Sequence, residues 1–144
     1  MRFFILFWLI ISAVKGENMV IALSFGDEKM GAEKILVELD SSASARDFAA
    51  LLPLEVEVSD YVGKEKIFSL PKRLKTGAND GAGYDPQIGD LFYFSPWGNV
   101  GIFYEKQPPY NGLIRLGILK DSKNALAKLK AKKQNFVIKI EAVK

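Results

Sequence analysis

The sequence of 144 residues contains no histidine and no cysteine. Without histidine it lacks the Ser-His-Asp arrangement and the usual general base near neutral pH. Without cysteine it lacks thiol nucleophiles, redox pairs and disulfides, and a zinc site would need carboxylates alone. These absences exclude several common enzyme classes, and we predict no catalytic residue, no metal and no cofactor.

Neither sign of charge predominates, since the sequence has 20 basic and 17 acidic residues and a net charge of +3. A balance this close to neutral does not favour a nucleic-acid partner. The one basic cluster, LAKLKAKK at residues 126–133, is interpreted as the solvated face of a helix. We therefore predict no nucleic-acid binding, and the oligomeric state stays open.

The apolar run FFILFWLIISAV contains no charge, follows Met1 and Arg2 and ends before Lys15. A helix of this length rises about 18 Å, which is too short for a hydrocarbon core of about 30 Å. We interpret residues 1–16 as a signal peptide, cleaved after Gly16, and predict export to the periplasm or the outside. An uncleaved anchor is the alternative, and the only route to a membrane. The remaining domain, residues 17–144, has a charge of about +1.

Several later segments alternate apolar and polar residues, as half-buried strands do. Residues 19–25 and 34–39 are predicted as paired strands, and LEVEVSDYV places Glu55 and Glu57 on a wet face. In LIRLGIL, the pattern puts Ile114, Leu116 and Ile118 on one dry face and Arg115 on the other. About eight strands, two short helices and no βαβ alternation indicate an all-β barrel or a curled sheet capped by the helices.

Two helices and one long loop complete the predicted architecture. The first helix contains Phe48 as a plug for the barrel, with Ser44 as its cap and Asp47 completing a capping box. The second helix begins after Asp121. Residues 75–89 form a glycine-rich loop without a phosphate-binding ending, and its two aspartates do not have the spacing of an EF-hand.

Four segments carry a family resemblance: ARDFAALLPLEVEVSDY, EKIFSLP, YDPQIGDLFYFSPWGNVGIFYEK and GLIRLG. Together they resemble the bacterial cyclophilin-like fold proteins, small barrels related in shape to peptidyl-prolyl isomerases. The resemblance covers residues 19–141 and implies a closed antiparallel barrel with a helix near each opening. It implies no established reaction. Ser69 stands where an acidic residue is common in the family, a change interpreted as structural.

True cyclophilins use an arginine beside an apolar pocket to catalyse cis-trans isomerisation of the peptide bond before proline. Their Phe-His-Arg-Val and Phe-x-x-Gln-Gly-Gly segments have no counterpart here, so the resemblance transfers no catalytic residue. After signal removal the chain retains three arginines, Arg46, Arg73 and Arg115. Isomerase activity with an atypical site remains an alternative. The barrier to cis-trans rotation of a peptide bond, about 18–20 kcal/mol, falls when amide resonance is weakened, and this needs no covalent step.

The segment SPWGNVGIFY, residues 95–104, is predicted to be a β-hairpin corner with apolar residues on both faces of its strands. Its outward face needs cover from a loop, a helix or a partner. Either the glycine-rich loop packs over the aromatic residues, or they line a shallow groove. The predicted groove residues are Tyr93, Trp97, Tyr104 and Tyr110, with Asn99 and Arg115 as polar contacts.

The leading hypothesis is an exported, non-enzymatic cyclophilin-like barrel that binds a peptide or small ligand in this groove. The alternatives are an isomerase and an interaction subunit that has no ligand of its own.

Overall fold

The computed structural model describes residues 18–143 except residues 28, 30 and 79, so the predicted signal peptide and its cleavage site lie outside the described residues. Eight strands and two helices follow one another along the chain: β1 Val20–Phe25, β2 Glu33–Leu39, α1 Ala43–Ala50, β3 Leu54–Tyr61, β4 Glu65–Ser69, β5 Asp90–Phe94, β6 Asn99–Phe103, β7 Leu113–Leu119, α2 Ser122–Lys130 and β8 Phe136–Ala142. A short 3₁₀ turn, Asp80–Ala82, lies in the long loop.

The strands form a closed barrel in the order β1-β2-β7-β5-β6-β4-β3-β8, and every neighbouring pair is antiparallel. The predicted all-β closed barrel with two short helices is therefore confirmed. Closure removes the unpaired edges that an open sheet would expose. No helix within the described residues is long and apolar enough to cross a membrane.

The inward residues of the strands form one hydrophobic core, which both helices complete. Phe48 of α1 is fully buried in this core, as are Ile21 and Leu23 of β1. Burying a side chain of this size contributes roughly 1.5–3 kcal/mol, so the barrel interior supplies most of the driving force for folding.

The N-cap of α1 differs from the prediction, whereas α2 has Asp121 at its N-cap position as predicted. Ser42, not Ser44, caps α1, and its hydroxyl accepts a hydrogen bond from Ala45 N at 3.1 Å. Ser44 is buried instead and donates to Lys75 O at 2.9 Å, while the Asp47 carboxylate accepts from Lys75 N at 2.8 Å. The predicted capping residues thus hold the start of the long loop against the helix.

A β-bulge in β7 overturns one predicted face. Leu91 pairs with Gly117 and Phe92 pairs with Arg115, so Leu116 has no partner on β5. The extra residue shifts the alternation, because two residues of one strand oppose one of the other. Ile118 is 43% exposed, and Leu119 enters the core in its place.

Candidate ligand-binding groove

A second cluster of buried apolar residues lies on the outside of the barrel, across β5, β6 and β7. It consists of Phe92, Phe103 and Leu113, which are all buried. The cross-strand register brings its neighbours together: Tyr61 pairs with Glu65, which pairs with Phe103. Because strand side chains alternate between the faces, Phe92 and Phe103 point outward while their neighbours fill the barrel.

Gly101 on β6 makes this cluster possible. A Cβ atom at Gly101 would lie 2.5 Å from Phe92 Cζ and 2.9 Å from Ile67 Cγ2. Without that atom, the Phe92 ring lies across β6 and stacks on the Phe103 ring, with centroids 4.0 Å apart and planes 20° apart. The glycine therefore provides the space for the floor of a groove.

The glycine-rich loop covers one part of the cluster. Tyr84 packs against it, and the Tyr84 hydroxyl donates to the buried Asp90 carboxylate at 3.1 Å. The same carboxylate accepts from Gln87 N at 2.9 Å, so Asp90 orders the loop. Burial, and next the Asp90 charge, raise the pKa of Tyr84, which keeps its hydroxyl protonated as the donor.

The loop leaves a groove of about 380 Å³ open beside this cover. Its residues come from β3 to β7 and from the segment before β7: Tyr61, Glu65, Phe92, Phe94, Trp97, Asn99, Phe103, Gln107, Pro108, Tyr110 and Leu113. Trp97 is 59% exposed and Tyr110 is 62% exposed, so both rings rise from the floor as walls. Exposed aromatic surface around a buried apolar floor is typical of binding sites.

The aromatic walls meet edge to face. The Trp97 ring contacts Tyr61 at a centroid distance of 5.7 Å and Phe94 at 5.4 Å, and Phe94 contacts Tyr110 at 5.7 Å. The angles between the planes are 85°, 76° and 68°. Such contacts favour a fixed arrangement of rings, which a ligand then meets ready formed.

The corner of SPWGNVGIFY holds Trp97 on the rim of the groove. Gly98 has a φ of +67° and donates its N–H to Phe94 O at 2.8 Å, which closes the turn. Arg73 packs beneath Gly98, and its guanidinium donates to Ser95 O at 2.7 Å. The segment is therefore a hairpin whose corner presents Trp97 to the groove.

Asn99 and Glu65 provide hydrogen-bond acceptors in the lining of the groove. Asn99 is only 9% exposed, and its Oδ1 is buried with no hydrogen-bond partner among the described residues. Burial, and next the Asp60 charge, raise the pKa of Glu65 from its ordinary value of 4.5 to about 7. Both groups offer acceptors, and the buried Asn99 Oδ1 costs free energy while it has no donor.

Glu65 is expected to make stability depend on pH. The folded protein holds the Glu65 proton up to about pH 7, whereas the unfolded chain releases it near pH 4.5, so stability falls as pH rises between these values. Replacing Glu65 with glutamine is expected to raise the free energy of unfolding by roughly 1 kcal/mol near pH 8, after allowance for solvent screening of a half-exposed group, and to change it little near pH 4.

Urea unfolding of both proteins at the two pH values measures this difference. The control is Glu55→Gln, which removes the same charge from an exposed position on β3. An equal effect of Glu65→Gln at both pH values would contradict the raised pKa.

Three of the six predicted groove residues, Trp97, Asn99 and Tyr110, line the groove. Tyr93 does not, since it is 1% exposed in the barrel core and its hydroxyl accepts from Leu74 N at 3.2 Å. The alternation explains this correction, because Tyr93 shares the inward face with Leu91.

Tyr104 lies at an end of the barrel interior rather than in the groove. Its hydroxyl donates to the Asp60 carboxylate, and its ring centroid lies 5.7 Å from Lys66 Nζ and 5.8 Å from Lys130 Nζ. Lys66 is buried, donates to Lys132 O at 2.8 Å and forms an ion pair with Asp60 at 3.2 Å. Partial burial acts to raise the pKa of Asp60, but the hydrogen bond from Tyr104 and the charge of Lys66 outweigh it and lower the pKa.

The three arginines of the described residues all bind elsewhere. Arg115 makes a bidentate ion pair with Asp40, at 2.8 and 3.1 Å. It does not line the groove, contrary to the prediction. Arg46 donates to Ser41 O at 2.8 Å, and Arg73 holds the hairpin corner. The isomerase alternative requires a guanidinium that faces a ligand in the groove, and none of these three arginines provides one.

The aspartates of the glycine-rich loop also have protein partners. Asp80 accepts from Gly77 N and lies 3.4 Å from the Ser44 hydroxyl, and Asp85 forms an ion pair with Lys106 at 2.5 Å. Within residues 18–143, the described side chains contain no group of three or more metal-ligating residues.

The sequence pattern missed Tyr61, Glu65 and Phe94 as groove residues. A signal for Tyr61 exists, because it has the same alternation phase as Glu55 and Glu57 on the wet face of β3. Glu65 is visible only through its register with Tyr61 and Phe103.

The closed barrel of eight antiparallel strands with two short helices places the protein among the small all-β barrels. The family model described as the Cyclophilin-like family matches residues 29–141, and the chain belongs to this family. Its fold is similar to the solution structure of a hypothetical protein from Archaeoglobus fulgidus, with 18% identity, a TM-score of 0.65, and coverage of 89% of this chain and 97% of that chain. No curated protein matches the sequence of this chain.

Proposed function

We propose that the groove binds a peptide or small ligand, without catalysis, and that the protein is exported to do so. The buried, unpartnered Asn99 Oδ1 carries this proposal. A buried acceptor costs free energy unless a donor reaches it, and because Asn99 lines the open groove, rotation of its amide would bring Oδ1 to a ligand N–H or O–H. The apolar run at residues 3–14 supports export.

Trp97 and Tyr110 supply the apolar contact for such a ligand. Their exposed rings flank a floor of buried phenylalanines, so a flat or extended ligand can be covered on several sides. A groove of about 380 Å³ falls within the range of roughly 300–1,000 Å³ that small-molecule sites occupy. Binding would cover the largest exposed aromatic surface of the described residues.

N-phenyl-1-naphthylamine tests the proposal, because it is neutral, aromatic and fluorescent and has one N–H donor. The full chain has only two tryptophans, so a Trp8→Phe background leaves Trp97 as its sole tryptophan. We expect saturable binding with energy transfer from Trp97. Replacing Tyr110 with alanine, or Asn99 with leucine, is expected to weaken binding about tenfold, which corresponds to about 1.4 kcal/mol.

Val137→Ala is the matched control, since Val137 is an exposed apolar residue of β8 outside the groove. Asn99→Leu is also expected to keep or raise stability, because it removes a buried acceptor that lacks a partner. Absence of saturable binding, or equal weakening by Val137→Ala, would contradict the proposal. That result would favour the interaction subunit that has no ligand of its own.

A further inference from the structure

We infer that the groove selects a ligand with an organic cation, an ammonium group held among the aromatic walls beside Glu65. The inference rests on the proposed function and names the chemical class of its ligand. It follows from the charges that line the groove, from the orientation of the rings and from the placement of the Glu65 carboxylate.

The lining has acceptors but no cations. Glu65 is its only acidic residue, Asn99 adds the acceptor Oδ1, which has no hydrogen-bond partner, and no lysine or arginine is among its described residues. Two nearby cations are already bound, since Arg73 donates beneath the hairpin corner and Lys106 pairs with Asp85. A cationic ligand is therefore the one whose charge complements the groove.

The aromatic rings suit a cation as well as an apolar group. Tyr61, Trp97 and Phe94 follow one another edge to face, so neighbouring rings turn their π faces in nearly perpendicular directions. The face of an aromatic ring is its negative side, and several faces around one space recognise ammonium groups. The open space beside Trp97 and Tyr110 gives access to these faces.

Glu65 adds a carboxylate at the edge of this aromatic wall. It pairs directly with Tyr61 on β3 and with Phe103 on β6, so its side chain shares their outer face. The titratable groups around it include Asp60 and Tyr61 on β3, Lys66 on β4, Tyr104 after β6, and the flanking Lys64 and Glu105. Lys66 is paired with Asp60. A bound cation would supply the counter-charge that Glu65 lacks, and its binding should strengthen as Glu65 loses its proton near pH 7.

Choline and its neutral carbon isostere, 3,3-dimethylbutan-1-ol, test the inference in the full chain with Trp8→Phe. The two probes have the same shape and the same hydroxyl, so their affinities differ only through charge. We expect choline to bind at least about tenfold tighter near pH 8, read from Trp97 fluorescence, and its advantage to shrink near pH 5. Glu65→Gln is expected to remove the advantage, whereas Glu55→Gln is expected to retain it.

Capped peptides containing lysine or trimethyl-lysine distinguish a protein source of the cation from a small-molecule source. Tighter binding of either peptide than of choline would assign a peptide ligand, and the reverse would assign a free ammonium compound. Both results support the inference. Equal affinity for choline and its isostere, no binding of either, or an advantage that survives Glu65→Gln would overturn it. In each of these cases, saturable binding of N-phenyl-1-naphthylamine would leave the proposed function standing.

Discussion

Replacing Leu119 with alanine is expected to lower the free energy of unfolding by about 2–5 kcal/mol, whereas the same change at Ile118 is expected to cost less than about 1 kcal/mol. Leu119 is buried in the barrel core, and its truncation leaves a cavity there. Ile118 lies on the outer surface because the bulge at Leu116 shifts the alternation of β7.

Urea or thermal unfolding of both variants measures the two costs. The comparison is internally controlled, because Leu119 and Ile118 are adjacent, apolar and of equal size. The regular alternation read from the sequence predicts the opposite order, with Ile118 as the costly site. Equal costs, or a larger cost at Ile118, would show that the bulge is absent.

Gly101→Ala is expected to destabilise the protein by about 1–3 kcal/mol, and Gly101→Val by more. The added Cβ would overlap the Phe92 ring and crowd Ile67. Phe92 is buried and stacked on Phe103, so its ring can move only by breaking that stack and shifting toward the groove. The variant should therefore also bind N-phenyl-1-naphthylamine more weakly.

Gly81→Ala is the control, since a Cβ at Gly81 would meet no atom within 4 Å. It is expected to leave both stability and binding nearly unchanged. A second change, Phe92→Leu in the Gly101→Ala background, should recover part of the lost stability, because leucine vacates the space that the ring occupied. A stability cost that simply adds between the two substitutions would mean that Gly101 and Phe92 do not interact.

Much of the fold follows from local patterns. Alternating residues such as those of β3 specify a strand with one wet face, and the structure places Glu55 and Glu57 outside and Val58 inside. The number of strands and the lack of βαβ units limit the architecture to an all-β barrel or a curled sheet, and the family resemblance implied the closed barrel. The fully buried Phe48 likewise agrees with the apolar face predicted for α1.

The groove was harder to predict, because it combines residues that are far apart along the chain. Tyr61 and Trp97 are neighbours only through the pairing of β3, β4, β6 and β5. Tyr93 and Tyr104 lie close to Trp97 in sequence, yet they turn to the other side of the sheet. We predicted one site from residues that are close in the sequence. Successive side chains of a strand point to opposite faces, so these residues lie on two different sides of the sheet.

The absence of histidine and cysteine, the apolar start and the alternation of the strands are properties of the sequence alone, and they restrict both the chemistry and the class of fold. The groove depends on the folded barrel. Cross-strand register, the bulge at Leu116 and the missing Cβ of Gly101 set which side chains meet, and each arises from contacts between distant strands. The register with which the strands pair around the barrel determines which outward side chains are neighbours, and a local sequence pattern does not specify that register.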